Sequence, residues 1–465
     1  MKTIWMGNDE TGYDVKKAAM VFLERKGFWV VNEGVDNRLP AGCQTAAKKV
    51  LDAIARENCL CGFWFGSNPP FPDCTSVSSP EDAAKARTRG TRLLWVPTRS
   101  PTPDARLFEL VLACCETAPD RTPSTPPRPK TPFATPSDEP LLLSESLRCA
   151  PPKTPVQVLL DTDMLTDCDD VAALALLLRL ESIGLANILG ITVSSGYPAS
   201  AAVVDAIDTF YGRGNIPVGA PKDGSGFRRD DSCFLDKVAA EFPHAIAGNM
   251  EAQDAVSLLR QALAAARPQS VKLVTIGYLC NVAALLRSRP DRISPLSGMD
   301  LVREKVSELV CMTGNFPDDP AIDNVNFTRS PQTALFTIRN YPGRITFVGR
   351  DIGHNIFVGD RFRELPSPHP LRRAYELHRG RYRNDWDHHT ADPSTILYAV
   401  CGLRPWFALQ SGSMLLNDDC SFTWEPAVES NKSYLLQVAD RHETARVIDT
   451  LIRLGKDALP PRPEK

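Results

Sequence analysis

Between Leu160 and Val171 the chain reads Asp161-Thr-Asp163-Met-Leu-Thr-Asp167-Cys-Asp169-Asp170, which places five carboxylates within ten residues. Two unpaired carboxylates ~4 Å apart repel by roughly 4 kcal/mol at an effective dielectric near 20. A group this dense therefore either takes up protons or holds a cation, and an oxygen-only donor set selects a hard divalent metal. Helix capping uses one or two acids and leaves the others without a role. An EF-hand is excluded, because Leu165, Thr166 and Ala172 stand where that loop needs a ligand, a glycine and a glutamate.

The acids need a scaffold that delivers them to one place. They follow the apolar run Val156–Leu160 and open the helical pattern Asp170–Leu180, so they belong at the C-terminal edge of a parallel strand, where α/β proteins bind ligands. The same alternation continues downstream. Strands are predicted at Ile188–Ser194, Val271–Ile276, Glu308–Met312 and Ile345–Val348, and helices at Ser200–Tyr211, Ala252–Ala266, Asn281–Arg287 and Gln332–Asn340. Antiparallel strands around Phe407–Leu416 and Tyr434–Val438 and a helix over Glu443–Leu454 close the chain. Upstream, strands at Lys2–Gly7, Phe28–Asn32 and Cys61–Gly66 alternate with helices at Tyr13–Lys26 and Thr45–Glu57. The predicted fold class is α/β, with two doubly wound, mostly parallel-sheet domains: a small flavodoxin-like one and a larger one.

The acidic segment resembles the N-terminal motif of the nucleoside hydrolases, in the branch with two extra residues before the Asp-Asp pair. Further blocks recur in that family's order: Ile-Leu-Gly-Ile-Thr-Val-Ser-Ser at 188–195, Thr275-Ile-Gly-Tyr-Leu-Cys-Asn281, Met312-Thr-Gly314, Asn326 within Asn-Val-Asn-Phe, and Asp392 within Ala-Asp-Pro-Ser-Thr-Ile-Leu. The similarity runs through about Val156–Val438. It implies that Asp163, Asp170 and Asp392, with the backbone carbonyl of Ile276, bind Ca²⁺, and that Asp163 also acts as base on water. It implies further that Asp169, Asn324 and Asn326 hold ribose hydroxyls, that Met312 packs near the sugar, and that Asp161 and Asp167 support the metal ligands from behind. Hydrolysis of an N-glycosidic bond builds positive charge on the ribosyl ring, which an anionic cluster stabilises. By analogy with inverting O-glycosidases, direct attack by water inverts the anomeric carbon.

The leaving base needs a proton or an equivalent. His388 and His389, close to Asp392 in sequence, are candidates although the family's acid histidine falls on Ala391, and Trp386 and Tyr382 are candidates to stack on a base. Met164-Leu165 replaces the family's Pro-Gly, Asn324 replaces an acidic hydroxyl ligand, and Tyr197 replaces an asparagine. Ribose recognition is thus altered while the metal ligands are kept. Two alternatives stay open: a catalytically silent, metal-binding nucleoside or sugar sensor, and a haloacid-dehalogenase-like phosphotransferase with Asp161 as nucleophile and Asp163 as acid/base. The latter family expects Thr or Val at Leu165 and does not account for Asp169-Asp170.

Met1–Phe71 resembles the type B ribose-5-phosphate isomerases, through a Met-Lys start, the Gly-Asn-Asp9-Glu10-Thr11-Gly turn and a Lys-containing first helix. The family's catalytic Cys and Gly-Thr-Gly anion loop are replaced by Gly66, Ser67, Asn68, Pro69 and Pro70, and Glu10 stands in place of a histidine. A proline supplies no amide donor. The resemblance therefore implies a non-catalytic domain used for docking or dimerisation. Eleven prolines between Ala118 and Pro155 mark a semi-extended linker. Thr122, Thr125, Thr131 and Thr135 each precede proline within it, as proline-directed kinases require, and proline spacing alone accounts for them equally well. The expected division is 1–117, 118–155 and 156–465.

Composition narrows the partners. With 53 basic and 56 acidic side chains among 465 residues the net charge is −3, so no global field recruits nucleic acid or an anionic membrane. A small nucleoside-like molecule is the expected substrate. No apolar run long enough to span a bilayer occurs, and the N-terminus turns acidic too soon for a signal sequence, so a cytoplasmic location is expected. The 13 cysteines are dispersed, with close pairs at Cys59/Cys61 and Cys114/Cys115 only, and read as reduced, buried thiols. Resemblance alone implies a homo-oligomer.

Overall fold

A computed structural model describes the strands at 3–8, 29–32, 61–66, 75–76 and 93–97, then residues 154–454 apart from 225, 228–231, 322–323, 383–385 and 404 and the side chains of 380–382. Contacts divide the chain into two units, Met1–Phe133 and Ala134–Lys465. In the first unit the described strands form a parallel sheet in the order Trp29–Asn32, Thr3–Asn8, Cys61–Gly66, Leu93–Pro97, Thr75–Ser76. The first three strands follow the flavodoxin-like order. The last two depart from it, because the two-residue Thr75–Ser76 takes the outer edge beyond Leu93–Pro97. The helices expected at Tyr13–Lys26 and Thr45–Glu57, the turn Asp9–Thr11, the residues 67–70, the cysteine pair at 114 and 115 and Cys59 lie outside the described residues, as does the linker up to residue 153.

The second unit is built on a ten-stranded sheet. Its order is Phe422–Pro426, Phe407–Leu416, Lys432–Gln437, Ile345–Val348, Val306–Met312, Val271–Thr275, Val156–Thr162, Ala186–Val193, Val218–Ala220, Gln253–Asp254. From Lys432–Gln437 to Gln253–Asp254 every pairing is parallel. The central strands are apolar on both faces. Val158 and Leu160 enter one hydrophobic core and Leu159 the other; Val274 and Leu273 divide likewise, as do Val310 and Leu309. Such period-2 sorting with both faces covered is what a doubly wound sheet requires.

The tail differs from expectation in two respects. Phe407–Leu416 pairs antiparallel with Lys432–Gln437, but the latter also pairs in parallel with Ile345–Val348, so the tail extends the main sheet. A further strand, Phe422–Pro426, covers the edge. Several helices were not legible as helices, among them Leu235–Glu241, Gly298–Lys305 and the two nearest the acids. Ala391–Cys401 begins Ala-Asp-Pro, and proline is tolerated in a first turn. Pro370–Tyr382 is too charged to show an apolar period. Ala391–Cys401 packs beside Asp169–Ser182, and both helices are almost wholly buried, which sets their N-termini side by side at the strands' C-terminal edge.

Candidate active site

Asp169 and Asp170 occupy the first turn of helix Asp169–Ser182, and Asp392 the first turn of Ala391–Cys401. Oxygens of these three buried carboxylates lie within 4.8 Å of one another, and the Asp392 amide donates to Asp169 Oδ2 at 3.3 Å. Amide dipoles from two helix ends favour negative charge here, but only by ~0.3–1 kcal/mol each, less than the repulsion of three anions. Burial and the neighbouring acids accordingly push the Asp170 and Asp392 carboxyls far above the usual carboxylate range. Protons or a cation must neutralise the group, and a divalent ion fits these all-oxygen donors.

Asp163 is the next neighbour. Asp170 in its protonated form, and the Tyr278 hydroxyl, donate to its carboxylate. Burial pushes it up to about 6, restrained by those hydrogen bonds and by Arg329. The sequence placed Asp163, Asp170 and Asp392 around the metal, whereas the mutually convergent oxygens are those of Asp169, Asp170 and Asp392, with Asp163 bonded to Asp170 alongside. The loop carrying Asp163 is locked. Met164, at φ +37°, takes the left-handed region at a cost of roughly 1–2 kcal/mol. Its amide donates to Thr162 Oγ1 (3.1 Å) and Asp170 Oδ1 (3.2 Å), and its carbonyl accepts from Ser200 Oγ (2.8 Å). Thr162 Oγ1 also donates to Asp170 Oδ1.

Asp161 lies beneath this loop, fully buried. Its Oδ1 accepts from Thr192 Oγ1 (2.5 Å) and Asn281 Nδ2 (2.7 Å), and Asn281 also reaches the Val193 carbonyl (2.9 Å). Asp161 thus ties strand Val156–Thr162 to Ala186–Val193 and to helix Cys280–Arg287. Burial still pushes it up to about 7. Asp161 lacks the exposure a phosphotransferase nucleophile needs.

Asp167 faces the histidines. His388 Nε2 is 2.5 Å from Asp167 Oδ1, His389 Nε2 is 3.3 Å from Oδ2, and His389 Nδ1 is 3.3 Å from Asp169 Oδ2. Burial opposes charge on His389, but Asp169 and Asp167 outweigh it and raise the imidazole to about 9. Burial acts to raise Asp167, but His388 and His389 hold it well below the carboxylate range. His354 stacks on His389 with ring centroids 4.3 Å apart. The pair His388 and His389 is positioned by a two-residue ribbon in which they pair with Phe357–Val358.

On the opposite side, Asn326 Nδ2 donates toward Ile276 O (3.3 Å), Met312 O (3.1 Å) and Met312 Sδ (3.2 Å), which brings Ile276, Met312 and Asn326 together. Asn324 turns its amide oxygen to Thr313 Oγ1 (2.8 Å), and its Nδ2 is buried without a hydrogen bond. Tyr197 is buried and donates to Asp236 at 2.8 Å. Trp386 carries Arg379 5.6 Å above its ring, and the Tyr382 side chain lies outside the described residues. Sequence reasoning passed over Tyr278 and its partner Arg329, whose Nη1 donates to the Tyr278 hydroxyl at 3.1 Å. Tyr278 lies within the block Thr275–Asn281, where its type drew no separate reading. His354 and His378 lay in no motif.

The doubly wound sheet thus carries a buried carboxylate cluster across two helix N-termini, with Asp163 and the pair His388 and His389 beside it. Residues 158–447 match the family profile described as inosine-uridine preferring nucleoside hydrolase, and the chain belongs to that family. Among solved structures it is similar to the effector protein XOO4466 (18% identity, TM-score 0.50, covering 70% of this chain and 100% of that one). It is similar also to the plant nucleoside hydrolase PpNRh1 (19%, 0.49, 64% and 99%) and to a ribose 5-phosphate isomerase from Thermotoga maritima (19%, 0.23, 25% and 88%). No curated protein matches it in sequence. Among the described residues no helix is long and apolar enough to cross a membrane.

Proposed function

We propose that this protein hydrolyses the N-glycosidic bond of a ribonucleoside or related ribosyl compound, giving free base and ribose, with Ca²⁺ as its metal. The observation that carries this reading is the convergence of Asp169, Asp170 and Asp392 beside Asp163. Asp163, Asp170, Asp392 and the Ile276 carbonyl would hold the ion, and when bound it supplies the charge that lowers the pKa of a water molecule. Asp163, beside the Tyr278 hydroxyl, accepts that water's proton. Asp169 and Asn326 are assigned to the ribose hydroxyls and Met312 to the sugar's face. The anionic cluster stabilises positive charge developing on the ribosyl ring. His389, held charged between Asp167 and Asp169, is the better placed of the two histidines to donate a proton to the leaving base. The domain over 1–117 is assigned a non-catalytic docking or dimerising role.

The engagement of Asn324 by Thr313 favours a second reading, in which the site binds a nucleoside or sugar without turning it over. A panel of nucleosides including inosine and uridine, followed chromatographically with Ca²⁺ and with chelator, separates the two. Free base formed only with Ca²⁺, and lost in Asp163→Ala, supports hydrolysis. Ligand-induced stabilisation without product supports the sensor, and phosphate release from phosphorylated compounds contradicts both.

A further inference from the structure

Behind the carboxylate cluster sits a second group of ligand-type side chains of different chemistry. Asp167 and Cys168 come from the loop before helix Asp169–Ser182, His378 from helix Pro370–Tyr382, and His388 from the short ribbon that follows. One donor atom from each lies within 4.8 Å of the other three. Asp167 Oδ1 is 2.5 Å from His388 Nε2 and 3.7 Å from His378 Nε2, and the two imidazole centroids are 4.7 Å apart. Cys168 is fully buried, His388 is 4% exposed and His378 7% exposed. His388 Nδ1 is buried with no hydrogen-bond partner.

We infer that Cys168, His378, His388 and Asp167 form a structural Zn²⁺ site, separate from the Ca²⁺ site and not dependent on the hydrolase reading. Four protein ligands of the Cys, His, His, Asp type complete a tetrahedron with no open position, the mark of a structural zinc. Ligands at ~2.0–2.3 Å from the ion lie roughly 3.3–3.8 Å apart, so the group must draw in slightly, with the His388–Asp167 hydrogen bond opening as both turn to the metal. A thiolate and a carboxylate neutralise the ion's two charges, which suits a buried position. Binding converts the Cys168 thiol to thiolate and releases its proton to solvent. Ca²⁺ does not compete, because a hard ion takes neither sulfur nor imidazole readily. The ion would pin helix Pro370–Tyr382 and the His388–His389 ribbon to the loop that bears the catalytic acids. No zinc-type spacing is visible in the sequence because the ligands lie some 210 positions apart and only one is a cysteine.

The test is Co²⁺ and Zn²⁺ binding by the full chain after chelator treatment. The expected result is a tetrahedral Co²⁺ spectrum with a thiolate-to-cobalt charge-transfer band, displaced by Zn²⁺ and unaffected by excess Ca²⁺. Cys168→Ser should abolish that band, and His378→Gln, which keeps the thiol, should weaken or shift it, while the buried Cys401→Ser should leave it unchanged. Should Cys168→Ser fail to fold, His378→Gln and the wild-type spectrum still decide. Absence of a sulfur band in the wild type, or identical spectra and Zn²⁺ content in both ligand variants, overturns the assignment.

Discussion

Gly277 follows Ile276 at the end of strand Val271–Thr275 and lies directly against the loop that carries Asp163. A Cβ placed at Gly277 would meet the Asp163 backbone nitrogen at 2.4 Å, Ser194 Oγ at 2.6 Å and Asp163 Cβ at 2.8 Å. Ordinary contact begins near 3.4 Å, so Gly277→Ala must drive the Asp163 loop back by ~1 Å. The loop cannot give locally, because Met164 is fixed by Thr162, Asp170 and Ser200. Overpacking of this kind costs ~1–3 kcal/mol of stability, and a ~1 Å misplacement of a reacting group costs on the order of 100-fold in rate. The assay is release of base from the best nucleoside at saturating Ca²⁺, alongside thermal melting. Gly190→Ala is the control, because its Cβ would strike the Leu258 side chain at 2.6 Å, away from the acids. It should lower stability less, because the Leu258 side-chain tip can turn aside, with little loss of kcat. If Gly277→Ala keeps its rate within a few-fold of wild type, the placement of Asp163 against this turn is refuted.

Asn281→Ala removes a donor from the buried Asp161 and from the Val193 carbonyl, and should cost ~1–3 kcal/mol in denaturant unfolding; an unchanged midpoint contradicts the tie between the two strands. Ca²⁺ at 100 times its Kd should stabilise the chain by ~2.7 kcal/mol, seen as a rise in Tm. Asp392→Ala should abolish that rise, and a rise that persists points to another site. His369 is buried and its imidazole is lowered to about 4 by burial, Arg179 and Arg372. Between its unfolded pKa of ~6.5 and about 4 the unfolded chain binds a proton that the folded one does not, so stability falls as pH drops through that window, by up to ~3 kcal/mol. Urea midpoints should fall less steeply over that range in His369→Phe, and parallel pH profiles would show that His369 is not responsible.

The alternation of Val156–Leu160, Ile188–Ser194 and Val271–Ile276 with helical segments made the doubly wound sheet legible, since both-sided burial leaves uninterrupted apolar runs. The five aspartates were legible as a group because their density has no cheaper explanation. Their individual geometry was not. Whether Asp163 or Asp169 converges with Asp170 and Asp392 depends on how two helix N-termini meet, and Asp392 arrives on a helix whose Ala-Asp-Pro start concealed it. The histidine side was less legible still. His388 and His389 were noticed for their nearness to Asp392, yet their partner is Asp167, and His378 joins them from a helix with no apolar stripe to announce it. Tyr278 shows the limit of motif matching: the block around it was recognised, while the tyrosine itself, which lies beside the proposed base, was given no role.

The most direct test of the metal assignment is anomalous diffraction from crystals of the full chain grown in Ca²⁺. One calcium peak bounded by carboxylate oxygens of Asp163, Asp170 and Asp392, with the Ile276 carbonyl in its coordination shell, is the predicted result. Density there that is filled only by water, with calcium found instead on exposed carboxylates, would contradict it.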